Sequence, residues 1–312
     1  MAHPYAEVNT FADRYIRPGI QDQVYKGNWL TKRLMEKNLV NIDGGTQIEQ
    51  AVEFDKARVT NTFGQYDILV PAEKKTIDKM VLQWKFKVAD QTITDKDKIL
   101  TGGNANKLAN LAMTRMLGLK KAMIDNIGTG IYTATADAGD EITGLRTAID
   151  TGNTYAGIAQ GTYTWWACAG EDSSTTTITP LILQTGYGAC VNASKGKEPT
   201  CGVTTQTLFD RIWTLFQPQQ RYGGDMANVG WGQSIPFNGK PVVPDPKCTA
   251  AHFFWLNEDA MELFVHPDFN MDLLNWDKLP NQPHAYGCFL KWTGNLLVKE
   301  PRTCYKYTAL TA

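Results

Sequence analysis

The chain has 312 residues, of which 43% are hydrophobic and 20% are charged, and its formal net charge is −1. This composition excludes disordered and collagen-like proteins, and the length suits one or two packed domains. With 31 basic and 32 acidic residues spread along the chain, no basic tail or patch is visible. A protein whose main task is to grip nucleic acid is therefore disfavoured.

The N-terminal region, residues 1–42, is predicted as an extended arm. Pro4 and Pro18 resist regular structure, and apolar residues predict one short helix near 28–38. The first residues lack the basic-then-apolar layout of a signal peptide, and no apolar run approaches the roughly 18 residues that span a bilayer. We therefore expect a protein that is made and kept in a cytoplasm.

Residues 43–94 predict a long β-hairpin that begins after Gly44-Gly45. The returning limb alternates apolar and polar residues with the period of two that a strand requires. Core packing is the preferred interpretation for the face that holds Trp84. The residues on that face are Leu82, Trp84, Phe86 and Val88, and the residues on the opposite face are Gln83, Lys85 and Lys87.

Between the two limbs, residues 55–79 form a long, polar and charged segment. Such a segment is uncommon inside a compact domain and usually serves binding. We expect the hairpin to project away from its own globule and to become buried only against a partner surface. The contact candidates are Lys56, Arg58, Phe63 and Tyr66, with a plain solvated loop as the competing interpretation for each.

The strongest helix is predicted over residues 104–127, where apolar residues repeat every 3.6 positions. Gly128 and Gly130 follow as predicted stop signals. A helix of this length spans roughly 36 Å.

The second half of the chain predicts two more helices followed by strands. One helix starts at Thr179-Pro180, a cap followed by proline at the first position, and another follows Thr205. Asn238-Gly239 predicts a tight turn, and the last third is mostly β. Helices and strands do not alternate regularly, which favours an α+β fold.

Motifs for catalysis, cofactors and metals are absent from the sequence. The four histidines are not paired at ligand spacing, and neither a G-x-S-x-G elbow nor a Walker loop occurs. The acidic group Asp137, Asp140 and Glu141 lacks the pattern of a calcium loop, so a surface loop is preferred. The six cysteines are expected to be buried thiols. We predict no catalytic, cofactor or metal site, with an enzyme of unknown class as a remaining alternative.

The order of these features resembles the HK97-like fold that tailed-bacteriophage major capsid proteins share. The resemblance covers about residues 28–310. Its motifs are Tyr66-Asp67-Ile68-Leu69 with Trp84-Lys85, Gly144-Leu145-Arg146-Thr147-Ala148-Ile149, Thr154-Tyr155-Ala156-Gly157-Ile158, Thr164-Trp165-Trp166, and Phe237-Asn238-Gly239-Lys240-Pro241-Val242-Val243-Pro244-Asp245 followed by Phe253-Phe254-Trp255-Leu256-Asn257.

The resemblance implies five parts: an N-arm (1–42), an E-loop hairpin with its return strand (43–94), a P-domain with a long spine helix (95–150), a region that is mostly A-domain (151–285), and C-terminal strands that return to the P-domain (286–312). It also implies a structural protein that self-assembles into hexamers and pentamers and forms an icosahedral head around double-stranded DNA. No cofactor or membrane is expected, and DNA is contacted non-specifically at most.

Scaffolding, portal and decoration proteins are possible partners by the same resemblance, and the location is the virion, assembled in the host bacterial cytoplasm. Some relatives crosslink subunits through a lysine and an asparagine, but no spacing marks Lys56, Lys74 or Lys75 as reactive. An encapsulin-like compartment shell, which shares the fold, is the alternative function.

Overall fold

The computed structural model describes residues 28–56, 73–100, 105–216 and 234–312. Most of the predicted arm, residues 1–27, and the end of the predicted hairpin, residues 57–72, lie outside this description. The helices are α1 (Trp29–Lys37), α2 (Asp95–Leu100), α3 (Ala105–Ile131), α4 (Leu145–Ala148), α5 (Pro180–Ala193) and α6 (Gln206–Phe216), with 3₁₀ turns at Glu258–Ala260 and Pro301–Thr303.

The strands range from two to seventeen residues. They are β1 (Leu39–Asn41), β2 (Gln47–Glu53), β3 (Ile77–Gln83), β4 (Lys85–Thr94), β5 (Thr154–Tyr155), β6 (Ile158–Ala159), β7 (Gly170–Asp172), β8 (Thr176–Thr177), β9 (Cys201–Thr204), β10 (Ile235–Phe237), β11 (Lys240–Pro244), β12 (Phe253–Leu256), β13 (Met261–Leu273), β14 (Asp277–Leu279), β15 (Gln282–Val298), β16 (Tyr305–Tyr307) and β17 (Leu310–Thr311).

One sheet is built around β15. Along one edge, β15 pairs antiparallel with both β13 and β14. Strand β13 pairs in turn with β1, in parallel. On the other side β15 pairs antiparallel with β4 over ten residues, from Ala285 opposite Thr94 to Gly294 opposite Lys85. Helix α3 packs against β4 and β15 and covers the inner face of this sheet. The long helix and the long strands thus form one body.

The second sheet has the strand order β10-β11-β9-β12-β16-β7, and its two central strands, β9 and β12, are buried on both faces. All four residues of β12 are apolar and buried. Phe253 and Trp255 pack with α5 and α6, while Phe254 and Leu256 belong to the larger core that the first sheet shares. A strand buried on both faces has a continuous apolar run instead of an alternation.

The locally encoded elements are confirmed. The short helix near 28–38 is α1, and α5 begins after Thr179, whose hydroxyl accepts a hydrogen bond from the Ile182 N–H at 3.3 Å. Asn238 and Gly239 have φ values of 48° and 74°, and they join β10 to β11 as a tight turn. All six cysteines are free and buried.

The predicted end of the long helix is wrong. Helix α3 continues through Gly128 and Gly130 to Ile131. Both glycines serve close packing, because a Cβ at Gly128 would lie 2.7 Å from Cγ of Asn28, and a Cβ at Gly130 would lie 3.2 Å from Cδ1 of Ile142. A missing side chain here allows neighbouring segments to approach the helix.

The N-terminus of α1 is fixed to the core by a buried carboxylate. One oxygen of Asp245 accepts hydrogen bonds from the Leu30 N–H at 3.2 Å and from the Tyr132 hydroxyl at 2.9 Å. Asn28 donates to the Ile124 carbonyl in α3 at 3.3 Å. The described chain therefore starts at a position held firmly between α3 and the turn that follows β11.

Candidate assembly surface

The predicted hairpin exists, but its limbs are shorter than expected. Strands β2 and β3 pair antiparallel from Gln47 opposite Gln83 to Glu53 opposite Ile77. After Gln83 the chain leaves the hairpin, and β4 pairs with β15 instead. The returning limb of the sequence pattern is therefore two strands in two different sheets.

The strands of the hairpin pack on their own subunit. Ile48, Met80 and Leu82 are buried in the main core, and the Val81 N–H donates to the Ala156 carbonyl at 3.0 Å. The expectation that the whole hairpin projects away from its globule is wrong for β2 and β3, because their apolar side chains find partners within the same chain.

The root of the hairpin also covers an aromatic side chain. Phe54 stacks on Trp165 with ring centroids 4.7 Å apart and an interplanar angle of 18°. A cleft of about 150 Å³ lies beside this stack, lined in part by Lys197, Lys299 and Glu300. Both of its lysines are paired with carboxylates, since Lys197 binds the Glu300 carboxylate at 2.6 Å and Lys299 binds Glu262.

Lys56, the contact candidate within the described residues, is exposed where the outgoing limb ends. Its N–H donates to the Asp55 carboxylate at 2.8 Å, and its carbonyl accepts from the Lys74 ammonium at 3.2 Å. Lys74 also pairs with Asp55 at 2.6 Å, and this hydrogen bond lowers the pKa of Asp55 below its usual range. The other candidates, Arg58, Phe63 and Tyr66, lie outside the described residues.

Strand β4 is inverted relative to the sequence prediction. Lys85 and Lys87 are buried, with 2% and 8% of their surface exposed, whereas Phe86 is 72% and Val88 is 58% exposed. The predicted period of two is correct, but the assignment of the faces is wrong beyond Leu82. Trp84 lies at the change of strand and is half-buried.

A loop between α3 and α4 makes the burial of both lysines possible. The Lys85 ammonium donates to the backbone carbonyls of Asp137, at 2.6 Å, and Gly139. The Lys87 ammonium donates to the Asn126 side-chain oxygen at 2.6 Å and to the Glu141 carboxylate. A buried cation is tolerated only with such partners. Desolvation lowers the pKa of Lys85 and raises the pKa of Asp137.

Two members of the acidic group Asp137, Asp140 and Glu141 have structural roles. Glu141 is the partner of a lysine, and an oxygen of Asp137 accepts the Ala156 N–H. In the part of the chain that the structure describes, no cluster of three or more metal-ligating side chains occurs. The described helices also include none that is long and apolar enough to span a membrane.

The outer face of the β15 sheet carries an apolar patch, which we define as Phe86, Val88, Phe269 and Lys291. Val88 lies opposite Lys291 in the strand register. The ammonium of Lys291 lies 6.0 Å from the centroid of the Phe269 ring. The sequence pattern did not reveal this patch, because its members come from β4, β13 and β15 and meet only in the folded sheet.

Comparisons with known proteins identify the architecture. No family model and no curated protein matches the chain. Among solved structures, the capsid asymmetric unit of cyanophage A-1(L) matches with a TM-score of 0.69 and 15% identity, over 90% of this chain and 92% of that chain. The capsid of a native GTA particle matches with a TM-score of 0.59 and 13% identity, over 90% and 89%.

The chain has the HK97-like capsid fold. A third match, the holo-SrpI encapsulin complex from Synechococcus elongatus, has a TM-score of 0.54 and 12% identity, over 92% of this chain and 88% of that chain. The α+β class and the HK97-like architecture predicted from the sequence are therefore confirmed. At identities this low, the likeness establishes the fold of the chain and leaves its function to be argued.

Proposed function

We propose that this chain is the structural major capsid protein of a tailed bacteriophage, and that it self-assembles into hexamers and pentamers of an icosahedral head around double-stranded DNA. The observation that carries the proposal is the match to phage capsid subunits over about nine-tenths of both chains. A match of this extent spans the outer elements of the subunit as well as its core, and it supports a shared role in building a shell.

The five-part division of the sequence belongs to this proposal. In it, residues 1–42 are the N-arm, 43–94 the E-loop with its return strand, 95–150 the P-domain with α3 as the spine helix, 151–285 mostly the A-domain, and 286–312 the strands that return to the P-domain. Pairing of β4 with β15 supports the continuity of the return strand with the P-domain. Pairing of β16 with both β12 and β7 ties the C-terminal strands to the second sheet as well.

We propose no enzymatic activity and no cofactor. The cleft beside Phe54 supports this, because its lysines are paired with carboxylates and none of the ionisable side chains that line it is buried. The proposed partners are other copies of the chain, with scaffolding, portal and decoration proteins as further ones. The balanced charge supports non-specific contact with packaged DNA at most.

The segment between Lys56 and Glu73 is proposed to supply inter-subunit contacts through Lys56, Arg58, Phe63 and Tyr66. The ion pair between Asp55 and Lys74 closes the base of this segment. Replacement of residues 57–72 by a short glycine-serine turn is therefore expected to leave a folded subunit that assembles poorly. Complete shells from this variant would remove Arg58, Phe63 and Tyr66 from the contact surface.

A compartment shell of the encapsulin type is the second candidate, favoured by the match to the SrpI complex. The two functions differ in what the shell encloses. Particles purified from the natural host should contain nuclease-protected DNA if the protein forms a phage head, and protein cargo if it forms a compartment.

Electron microscopy and sedimentation of the purified chain test the proposal directly. We expect closed shells of uniform size, formed by the chain alone or when it is produced with the proteins encoded beside it. A chain that remains monomeric under both conditions would refute a role in building shells.

A further inference from the structure

The inverted strand β4 leaves its apolar side chains on the outside. Phe86 and Val88 face solvent while Lys85 and Lys87 occupy the inner face, each held by two oxygen partners. The opposite orientation would bury the apolar pair and solvate both ammonium groups. Since the fold supplies four acceptors to hold the inverted orientation, the outward placement of Phe86 and Val88 is a built feature of the sheet.

The exposed side chains belong to one continuous surface. Phe86 and Val88 are two residues apart on the same face of β4, and Val88 is paired with Lys291 of β15. Lys291 in turn lies over Phe269 of β13. The patch therefore crosses three neighbouring strands of a rigid sheet, which is a suitable platform for a protein contact.

The charges around the patch indicate what covers it. Lys291 and Asp90, which is exposed next to Val88 on β4, have no ion-pair partner among the described residues. Asp272 lies opposite Lys291 in the strand register, so this surface carries charges of both signs. Such a surface suits a protein chain that also carries both signs, and it does not suit a polyphosphate. This chain has 31 basic and 32 acidic residues, so two copies meet without net repulsion.

We propose that a second copy of this chain covers the patch of Phe86, Val88, Phe269 and Lys291 in the assembled shell. The inference rests on the proposed function, because a shell built from copies of one chain places a neighbouring copy against each subunit. The contact is heterologous, with the patch of one copy facing a different surface of the next copy. Phe86 is the most exposed apolar side chain of the patch and is expected to anchor the contact, as aromatic residues often do in interfaces.

The cysteines of the chain allow a specific test. All six are buried, and burial raises the pKa of Cys168 and Cys288 to about 12, so the native thiols are expected to be inert toward a thiol reagent. A Val88→Cys variant would then carry one accessible thiol, at the centre of the patch. Its labelling is measured in free subunits and in shells that contain this chain alone, with wild-type protein and unfolded shells as controls.

Three outcomes are distinguishable in this experiment. Rapid labelling of position 88 in free subunits and protection in shells supports the proposal, because a second copy is then the sole protein that can cover the site. Equal labelling in both states overturns it while the proposed function stands. Protection already in free subunits also overturns it, since another segment of the same chain then covers the patch. If the wild type forms shells neither alone nor when produced with the proteins encoded beside it, both the proposed function and this inference fail.

A pair of matched substitutions gives a second measurement. Phe86→Ser is expected to lower the yield of shells at least about tenfold, with the melting temperature of the free subunit unchanged. Leu181→Ser removes an apolar side chain of similar exposure, 74%, from the surface of α5 and is expected to assemble normally. Wild-type yield from Phe86→Ser, or an equal loss in both variants, would contradict the assignment.

Discussion

The contact between Gly128 of α3 and Asn28 gives the sharpest test of how the fold is packed. A Cβ added at Gly128 would lie 2.7 Å from Cγ of Asn28 and still closer to its Nδ2. Asn28 is 1% exposed and donates to the Ile124 carbonyl. The Gly128→Ala substitution must therefore displace a buried amide from its hydrogen bond.

Two opposing effects determine how far Gly128→Ala changes the free energy of unfolding. Loss of the hydrogen bond from the Asn28 amide leaves a buried polar group without a partner, which lowers the free energy of unfolding by about 1 to 3 kcal/mol. Replacing glycine by alanine in a helix gains at most about 1 kcal/mol, and less in the last turn, where Gly128 lies. We expect Gly128→Ala to reduce the free energy of unfolding by about 1 to 2 kcal/mol.

Gly118 in the same helix provides the control. It is exposed and has no heavy atom within 4 Å of a Cβ placed there, so Gly118→Ala is expected to stabilise the protein by up to about 1 kcal/mol. Urea unfolding of the unassembled subunit, followed by circular dichroism, measures both variants. The reasoning is refuted if the two substitutions shift the midpoint in the same direction by the same amount.

Three further predictions concern other parts of the structure. Thr179→Ala removes the acceptor of the Ile182 N–H and should destabilise the subunit by about 1 kcal/mol in the same urea assay, whereas Thr179→Ser should retain most of the stability. Phe54→Ala removes the stack on Trp165 and should speed proteolytic cleavage at the hairpin, with a loss of global stability of about 1 kcal/mol; an unchanged cleavage rate would show that the stack does not hold the hairpin. Burial lowers the pKa of His252, so the unfolded chain binds a proton that the folded protein does not, and stability should fall as the pH drops below about 6.5. The His252→Gln variant should show a shallower loss between about pH 6.5 and pH 5 in urea titrations, and an identical slope would argue against His252 as the cause.

Elements with a local chemical signal could be predicted from the sequence. Thr179-Pro180 begins α5, Asn238-Gly239 forms the turn between β10 and β11, and the apolar stripe of α3 faces the core. These features depend on residues within a few positions of each other, so the sequence carries the information directly. The order of such elements was also enough for the resemblance to the HK97-like fold.

The candidate site was predicted only in part. The hairpin was predicted, and the role of Lys56 as a contact residue stays a prediction, but the patch around Phe86 was assigned to the core and Lys85 to solvent. Alternation along a strand shows which residues share a face, and it does not show which face is covered. Which face of β4 is buried depends on the carbonyls of Asp137 and Gly139, which lie about fifty residues away along the chain and accept hydrogen bonds from Lys85.

The sequence by itself determined the types and approximate positions of the helices, turns and strands, because propensity, capping and periodicity act over a few residues. The tertiary structure alone decided that β4 joins β15, that α3 runs through Gly128, and that Phe86 points outward. Each of these outcomes depends on contacts between distant segments, such as Asn28 with α3, whose free energies no local pattern encodes.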